Sequence, residues 1–242
     1  MRVALIADIH GNLMALDAVL AELERERPDR LICLGDVAAG PQASESIERI
    51  RSLGCPVVMG NWDAWFIEGI PEDDRELERK VAEIGRWWAE RISEEDRAYI
   101  ASFVPTVELE LDGSSRMLCF HGSPASFNDI ILSTTSDPAV ERMLDGITRA
   151  VYAGGHTHVQ MLRRMRSSIL LNPGSVGLPF RRWLPDKICV APWAEYALVS
   201  SENGRLSVEL RRTTYDVDAF LRLSAESGMP HAKWWIDTWI LQ

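Results

Sequence analysis

The chain has 242 residues, 46% of them hydrophobic, and a formal net charge of −10. That length suits one large domain or two small ones and allows a sizeable core. The acidic balance excludes a broad basic surface for gripping duplex nucleic acid or an anionic membrane, but leaves small phosphate esters open, because bound metal ions reverse the local sign.

No apolar run approaches the length of a transmembrane helix, and no basic segment precedes the first apolar run, so neither a membrane span nor a signal peptide is expected. Cys33, Cys55, Cys119 and Cys189 are widely spaced without a C-x-x-C pair. They read as reduced thiols of a cytoplasmic protein.

Residues 3–7 read as a buried strand that ends at Asp8-Ile9-His10-Gly11-Asn12. Side chains i and i+2 share one side of a strand, so Asp8 and His10 are expected to aim a carboxylate and an imidazole at one point. Asn12 reads as the N-cap of a helix whose Leu13, Leu16, Val19, Leu20 and Leu23 form one face. Residues 30–34 read as a second strand, ending at Gly35-Asp36, and a helix from about Ser44 stops at Gly54. Residues 56–59 read as a third strand, ending at Gly60-Asn61-Trp62-Asp63. This β-α-β-α-β order predicts right-handed parallel crossovers.

Residues 64–103 are dense in charge and read as a helical insertion of two or three helices outside the sheet, the charge run being a solvated face. Ser93 and Asp96 fit a capping box. Asp112-Gly113 signals a hairpin, and its second strand ends at His121-Gly122. A helix follows over 136–145. A short strand at 150–153 ends at Gly154-Gly155-His156-Thr157-His158, and paired strands at 161–166 and 168–171 lead into Asn172-Pro173-Gly174-Ser175. A final hairpin turns at Asn203-Gly204. A tryptophan-rich tail, about 216–242, must cover either the core or a neighbouring subunit, which leaves a homo-oligomer open. No linker divides the chain, so residues 1–242 read as a single domain.

Five strand ends therefore carry ligand-type residues: Asp8 and His10; Asp36; Asn61; His121; His156 and His158. The chain has five histidines, and only His231, in the tail, lies outside these turns. Taken together, Asp-x-His, Gly-Asp, Gly-Asn-x-Asp, His-Gly and Gly-His-Thr-His resemble the calcineurin-like metallophosphoesterase superfamily. The loop at 35–41 resembles that of its small prokaryotic phosphodiesterase-like branch and lacks the Asp-Arg-Gly of the Ser/Thr protein phosphatases. The resemblance implies an α/β fold, a four-layer αββα sandwich of two mixed sheets flanked by helices, with two metals at the strand ends. By motif position, Asp8, His10 and His158 would hold one metal, Asn61, His121 and His156 the other, and Asp36 would bridge them. Asp36, Asn61 and His121 are the expected catalytic residues.

The chemistry of these residue types agrees. Carboxylate, imidazole and amide donors suit Mn, Fe, Zn or Ni, with Mn favoured, and the absence of thiolates argues against a structural zinc site. A water on such a metal has its pKa lowered to roughly 7, which supplies a hydroxide, bridging the two metals, as nucleophile at neutral pH. One departure from the family pattern matters. Many members have a leaving-group histidine after the Gly-Asn, where this chain has Trp62. A general acid contributes roughly 10²–10⁴-fold, so aryl-like or activated diesters are the expected substrates. Trp62 offers a surface for an aryl or base group, and Asn61, Arg181 and Arg182 are candidate contacts to the phosphate or a nucleotide-like substrate. Asp63 reads as positioning the loop. The expected function is a phosphodiesterase, against a phosphomonoesterase, a dinucleoside polyphosphate hydrolase, or an interaction scaffold on the same fold.

Overall fold

The computed structural model of the chain describes residues 1–113, 115–184 and 187–239, with side chains at all of these except 181–188. Strand β1 (Arg2–Ile6) lies between two neighbours. Its side chains alternate: Val3 and Leu5 belong to the core between the sheets, Ala4 and Ile6 to the core under the helices. Helix α1 (Leu13–Glu26) starts where the Asn12 side chain accepts the Ala15 N–H, and it buries Leu16, Val19, Leu20 and Leu23. Strand β2 (Arg30–Cys33) returns parallel to β1, and α2 (Ala43–Leu53) ends at Gly54 in the left-handed conformation. The third strand expected at 56–59 shrinks to two bridges, Val57 with Cys33 and Val58 with Val104. The chain changes neighbour between those two residues, so no ladder can extend.

Three helices follow: α3 (Asn61–Glu68), α4 (Glu76–Ala89) and α5 (Glu94–Ile100), the last opened by the Ser93–Asp96 capping box. Strands β3 (Val107–Asp112) and β4 (Ser115–Cys119) form the expected hairpin. Then come α6 (Asp137–Met143), β5 (Val151–Ala153), β6 (Met161–Met165) and β7 (Ser168–Asn172). Strands β8 (Phe180–Leu184) and β9 (Lys187–Val190) make a small antiparallel ribbon that was not anticipated. Its sequence signal is Pro185-Asp186 between two short apolar runs. Strands β10 (Ala194–Glu202) and β11 (Arg205–Thr213) form the closing hairpin, followed by α7 (Val217–Glu226) and α8 (Ala232–Asp237).

The fold is α/β, with two mixed sheets flanked by helices. One sheet has the order β11-β10-β1-β2 and the other β3-β4-β5-β7-β6. Between them pack Val3, Leu5, Ile32, Met117, Val151 and Val199, among others. Helices α1, α2 and α7 cover the first sheet, and α6 packs Val140 against Leu118, Phe120 and Leu170 on the outer face of the second. The tail covers this chain's own core: Trp235 meets Trp88 edge-on at 5.5 Å and Trp239 meets Phe220 at 5.4 Å. His231 is tied to Glu83 at 2.6 Å. Among the described residues no helix is long and apolar enough to cross a membrane.

Candidate metal centre

Parallel strands direct their carboxyl ends the same way, and open α/β sheets gather their ligand-binding loops there. Here β1 and β2 are parallel in one sheet, and β4, β5 and β7 in the other. The loops after them carry Asp8 and His10, Asp36, His121, His156 and His158, and the Asn172-Pro173-Gly174-Ser175 turn.

Strand alternation is not how Asp8 and His10 converge. The ladder stops at Ile6, and both residues lie beyond it in left-handed backbone, with φ of 55° and 48°. Asp36, His156 and His158 share that conformation at 55°, 69° and 56°. It costs a non-glycine residue roughly 1–2 kcal/mol, and such strain gathers at functional sites. Backbone bonds between the loops impose it: Asp8 N–H to Gly35 O, 2.9 Å; His10 N–H to Asp36 O, 2.9 Å; Gly11 N–H to Val37 O, 3.0 Å. The loops lie so close that a Cβ on Gly40 would collide with the His10 carbonyl, and one on Gly60 with the Asp36 carboxylate.

Two groups of ligand atoms result. Asp8, His10, Asp36 and His158 form one, Asp36, His121 and His156 the other, and each group's atoms lie within 4.8 Å of one another. Asp36 belongs to both. Its Oδ2 stands 3.7 Å from His10 Nε2 and 3.4 Å from His121 Nε2, and Asp8 Oδ1 is 3.4 Å from His158 Nε2. Asn61 Oδ1 lies 3.0 Å from His121 Nε2, adjoining the second group. All of these side chains are buried except His156, which is half-buried.

The donor set fits divalent cations, and the histidines show why. Nδ1 of His10 meets the Ala39 carbonyl at 3.3 Å, that of His121 the Leu34 carbonyl at 2.6 Å, and that of His158 the Leu178 carbonyl at 2.8 Å. A carbonyl oxygen only accepts, so each Nδ1 donates, and Nε2 is the atom that each ring turns towards the cluster. The Nε2 atoms of His10 and His158 are 3.0 Å apart. Two lone pairs that close repel unless a cation serves both. Burial, reinforced by His158, pushes the His10 pKa down to about 4.

The remaining electrostatics have the same origin. Burial and the neighbouring His121 push His156 down to about 4. Burial alone would lower His121 too, but Asp36 and Asp8 carry it up to about 9. Burial works to raise Asp36, yet the surrounding imidazoles hold it below the usual carboxylate range. Asp63 is pushed up to about 7 by burial and by Asp36. Its carboxylate accepts three backbone N–H groups, from Asp36 at 2.7 Å, Val37 at 3.0 Å and Gly60 at 3.2 Å. From the far side, Ser175 Oγ donates to the Asp8 carbonyl at 2.6 Å and accepts the Leu178 N–H at 2.8 Å. Phe180 stacks on His158 at 4.4 Å.

The cluster opens into a cavity of about 450 Å³. Trp62 lies in its wall, edge-on to His10 at 6.5 Å and to Trp65 at 5.1 Å. Its backbone N–H donates to Asp36 Oδ1 at 2.8 Å, and its indole reaches Gly85 of α4 so closely that a Cβ there would collide with it. Helix α4 lies outside the sheets with its charged face solvated, and Leu77, Val81, Ile84 and Trp88 on its other face line the cavity. Their spacing of four, three and four residues was the available signal. The backbone carrying Arg181 and Arg182 belongs to β8, but their side chains lie outside the described residues, so the expected phosphate contacts gain no support.

A two-sheet fold with a buried Asp/His cluster at its strand ends defines a class, and it fits a metal-dependent phosphoesterase. Residues 1–191 match the calcineurin-like phosphoesterase superfamily domain, and the chain belongs to that superfamily. An uncharacterized protein of Methanocaldococcus jannaschii is 25% identical over 94% of this chain and 93% of its own. Among solved structures, a metallophosphoesterase from Sphaerobacter thermophilus is similar with a TM-score of 0.73 and 25% identity over 96% of both chains. A hypothetical protein from Pyrococcus horikoshii shares the fold with a TM-score of 0.77 and 20% identity over 95% of this chain and 94% of its own.

Proposed function

We propose that this protein is a two-metal phosphodiesterase in which Asp8, His10 and His158 hold one ion, Asn61, His121 and His156 the other, and Asp36 both. The observation that carries the reading is the Asp36 carboxylate, common to two groups of buried ligand atoms. When bound, divalent ions, Mn favoured, would offset the phosphate charge and lower the pKa of a coordinated water to roughly 7. The chain's own part is orientation. Three carbonyls fix the histidine rings, Asp63 fixes the Asp36 loop, and Asn61 presents its amide where a phosphate oxygen would arrive.

Charge and shape favour a diester over a monoester. A diester brings one negative charge to the metals and a second organic substituent, and most of the described wall beyond the cluster is apolar, with Trp62, Trp65, Leu178 and Phe180. Among the described lining residues, the second charge of a monoester, or the further charges of a polyphosphate, meets Arg75, which Asp73 and Glu78 already engage. With Trp62 at the leaving-group position, good leaving groups are favoured. Metal-reconstituted protein assayed against p-nitrophenyl diesters, p-nitrophenyl phosphate and dinucleoside polyphosphates tests this. Diesters should lead. Full metal binding with no turnover in any class would favour the scaffold reading instead.

A further inference from the structure

Among the described residues the cavity has a mostly apolar lining. From the ligand atoms of His10, Asp36 and His158 it runs between α3, α4, β8 and α8, among Trp65, Ile70, Val81, Trp88, Phe180 and Trp235. Its volume of about 450 Å³ lies within the ~300–1,000 Å³ over which protein sites enclose a small ligand. Its lining also includes Glu72, Asp73 and Glu78, together with Arg75, which is engaged by Asp73 at 2.6 Å and Glu78 at 2.9 Å. Beyond the cluster the described lining is mostly apolar, and its Arg75 is already paired with carboxylates, which suits a neutral chain better than a further phosphate.

We infer that the substrate is a phosphodiester with a long apolar substituent, an alkyl or isoprenoid-like chain, which lies in this cavity while the phosphate sits at the metals. The inference rests on the phosphodiesterase reading and names its substrate class. Continuity carries it: the same space is lined by the ligand cluster and by tryptophans from the helical segment and the tail. It also gives a function to the tail, whose Trp235 is one wall.

Two measurements test it. In the first, metal-loaded protein hydrolyses p-nitrophenyl alkyl phosphates with methyl, butyl, octyl and dodecyl chains, so that the leaving group is constant. Each methylene buried should raise kcat/KM roughly fourfold until the cavity fills. In Val81→Trp, where α4 intrudes on the cavity, the octyl-to-methyl ratio should collapse towards one. In the second, the methyl monoesters of alkylphosphonates of the same chain lengths, which hold the charge and resist hydrolysis, are titrated against tryptophan fluorescence with and without Mn. Affinity should climb with chain length in both states, and less steeply in Val81→Trp. Hydrolysis and fluorescence that are both indifferent to chain length overturn the inference and leave the phosphodiesterase reading standing. Chain-dependent binding without turnover of any ester overturns the phosphodiesterase reading, while the cavity keeps its apolar ligand.

Discussion

The carboxylate of Asp63 receives the backbone N–H of Asp36 at 2.7 Å, so the residue common to both ligand groups is held by a second buried acid. The same carboxylate takes the N–H groups of Val37 and Gly60, clamping the loop after β2 to the turn before α3. Asp63→Ala leaves three buried donors without this acceptor, at roughly 1–3 kcal/mol each before relaxation. A net loss of about 2–4 kcal/mol is expected, which lowers Tm by about 5–15 °C at this chain length. Asp63→Asn keeps one oxygen but sets an amide N–H₂ against a backbone N–H, so it should fall between the two. Thermal unfolding of metal-free protein checks the order.

Asp36→Asn should abolish hydrolysis, by at least about 10³-fold, because the oxygen shared by the two groups becomes a poor donor for a hard cation. Metal content by mass spectrometry should fall below two per chain in the same variant. Persistent hydrolysis with full metal content would show that the two groups do not act together.

Removing the metals should destabilise the fold itself. At an ion concentration of about 100 Kd, each bound ion adds about 2.7 kcal/mol to stability, so two ions correspond to a Tm difference of about 10–20 °C. Calorimetry of chelated and Mn-loaded protein reads this directly. An unchanged Tm would mean that the close approach of His10 and His158 is relieved without a cation.

Trp62→His tests the missing acid. The new imidazole should help poor leaving groups more than good ones, flattening the dependence of kcat on leaving-group pKa across a series of aryl diesters, with up to about 10²-fold gain at the poor end. It should also cost about 2–4 kcal/mol, since the indole fills the contact with Gly85 and Phe66. An unaltered slope in a folded variant would place proton donation elsewhere.

Much of this was legible in the residues. Asp8, Asp36, Asn61, His121, His156 and His158 stood in glycine-bearing turns after apolar runs, and Asn12, Gly54 and the Ser93–Asp96 pair marked helix ends by local chemistry alone. What was not legible depends on contacts made far along the chain. The left-handed backbone at Asp8 and His10 is imposed by Gly35, Asp36 and Val37, so strand alternation gave the right convergence for the wrong reason. The strand at 56–59 failed because its two central residues bridge different neighbours. The apolar face of α4 was not legible because its charges are contiguous in sequence, whereas Leu77, Val81, Ile84 and Trp88 gather only once the helix winds. The β8–β9 ribbon was hidden behind a basic pair that drew attention as a phosphate contact.

The position of β1 also bears on synthesis. The strand that delivers Asp8 and His10 is made long before its antiparallel neighbour β10, with which it is in register from Arg2 opposite Ser200 to Leu5 opposite Ala197. A nascent chain therefore carries β1 with one edge open until most of the polypeptide has left the ribosome. Pairings this distant are slow and leave strand edges exposed meanwhile. A chain that ends before β10 therefore holds every ligand-bearing loop but presents β1 with one edge unpaired.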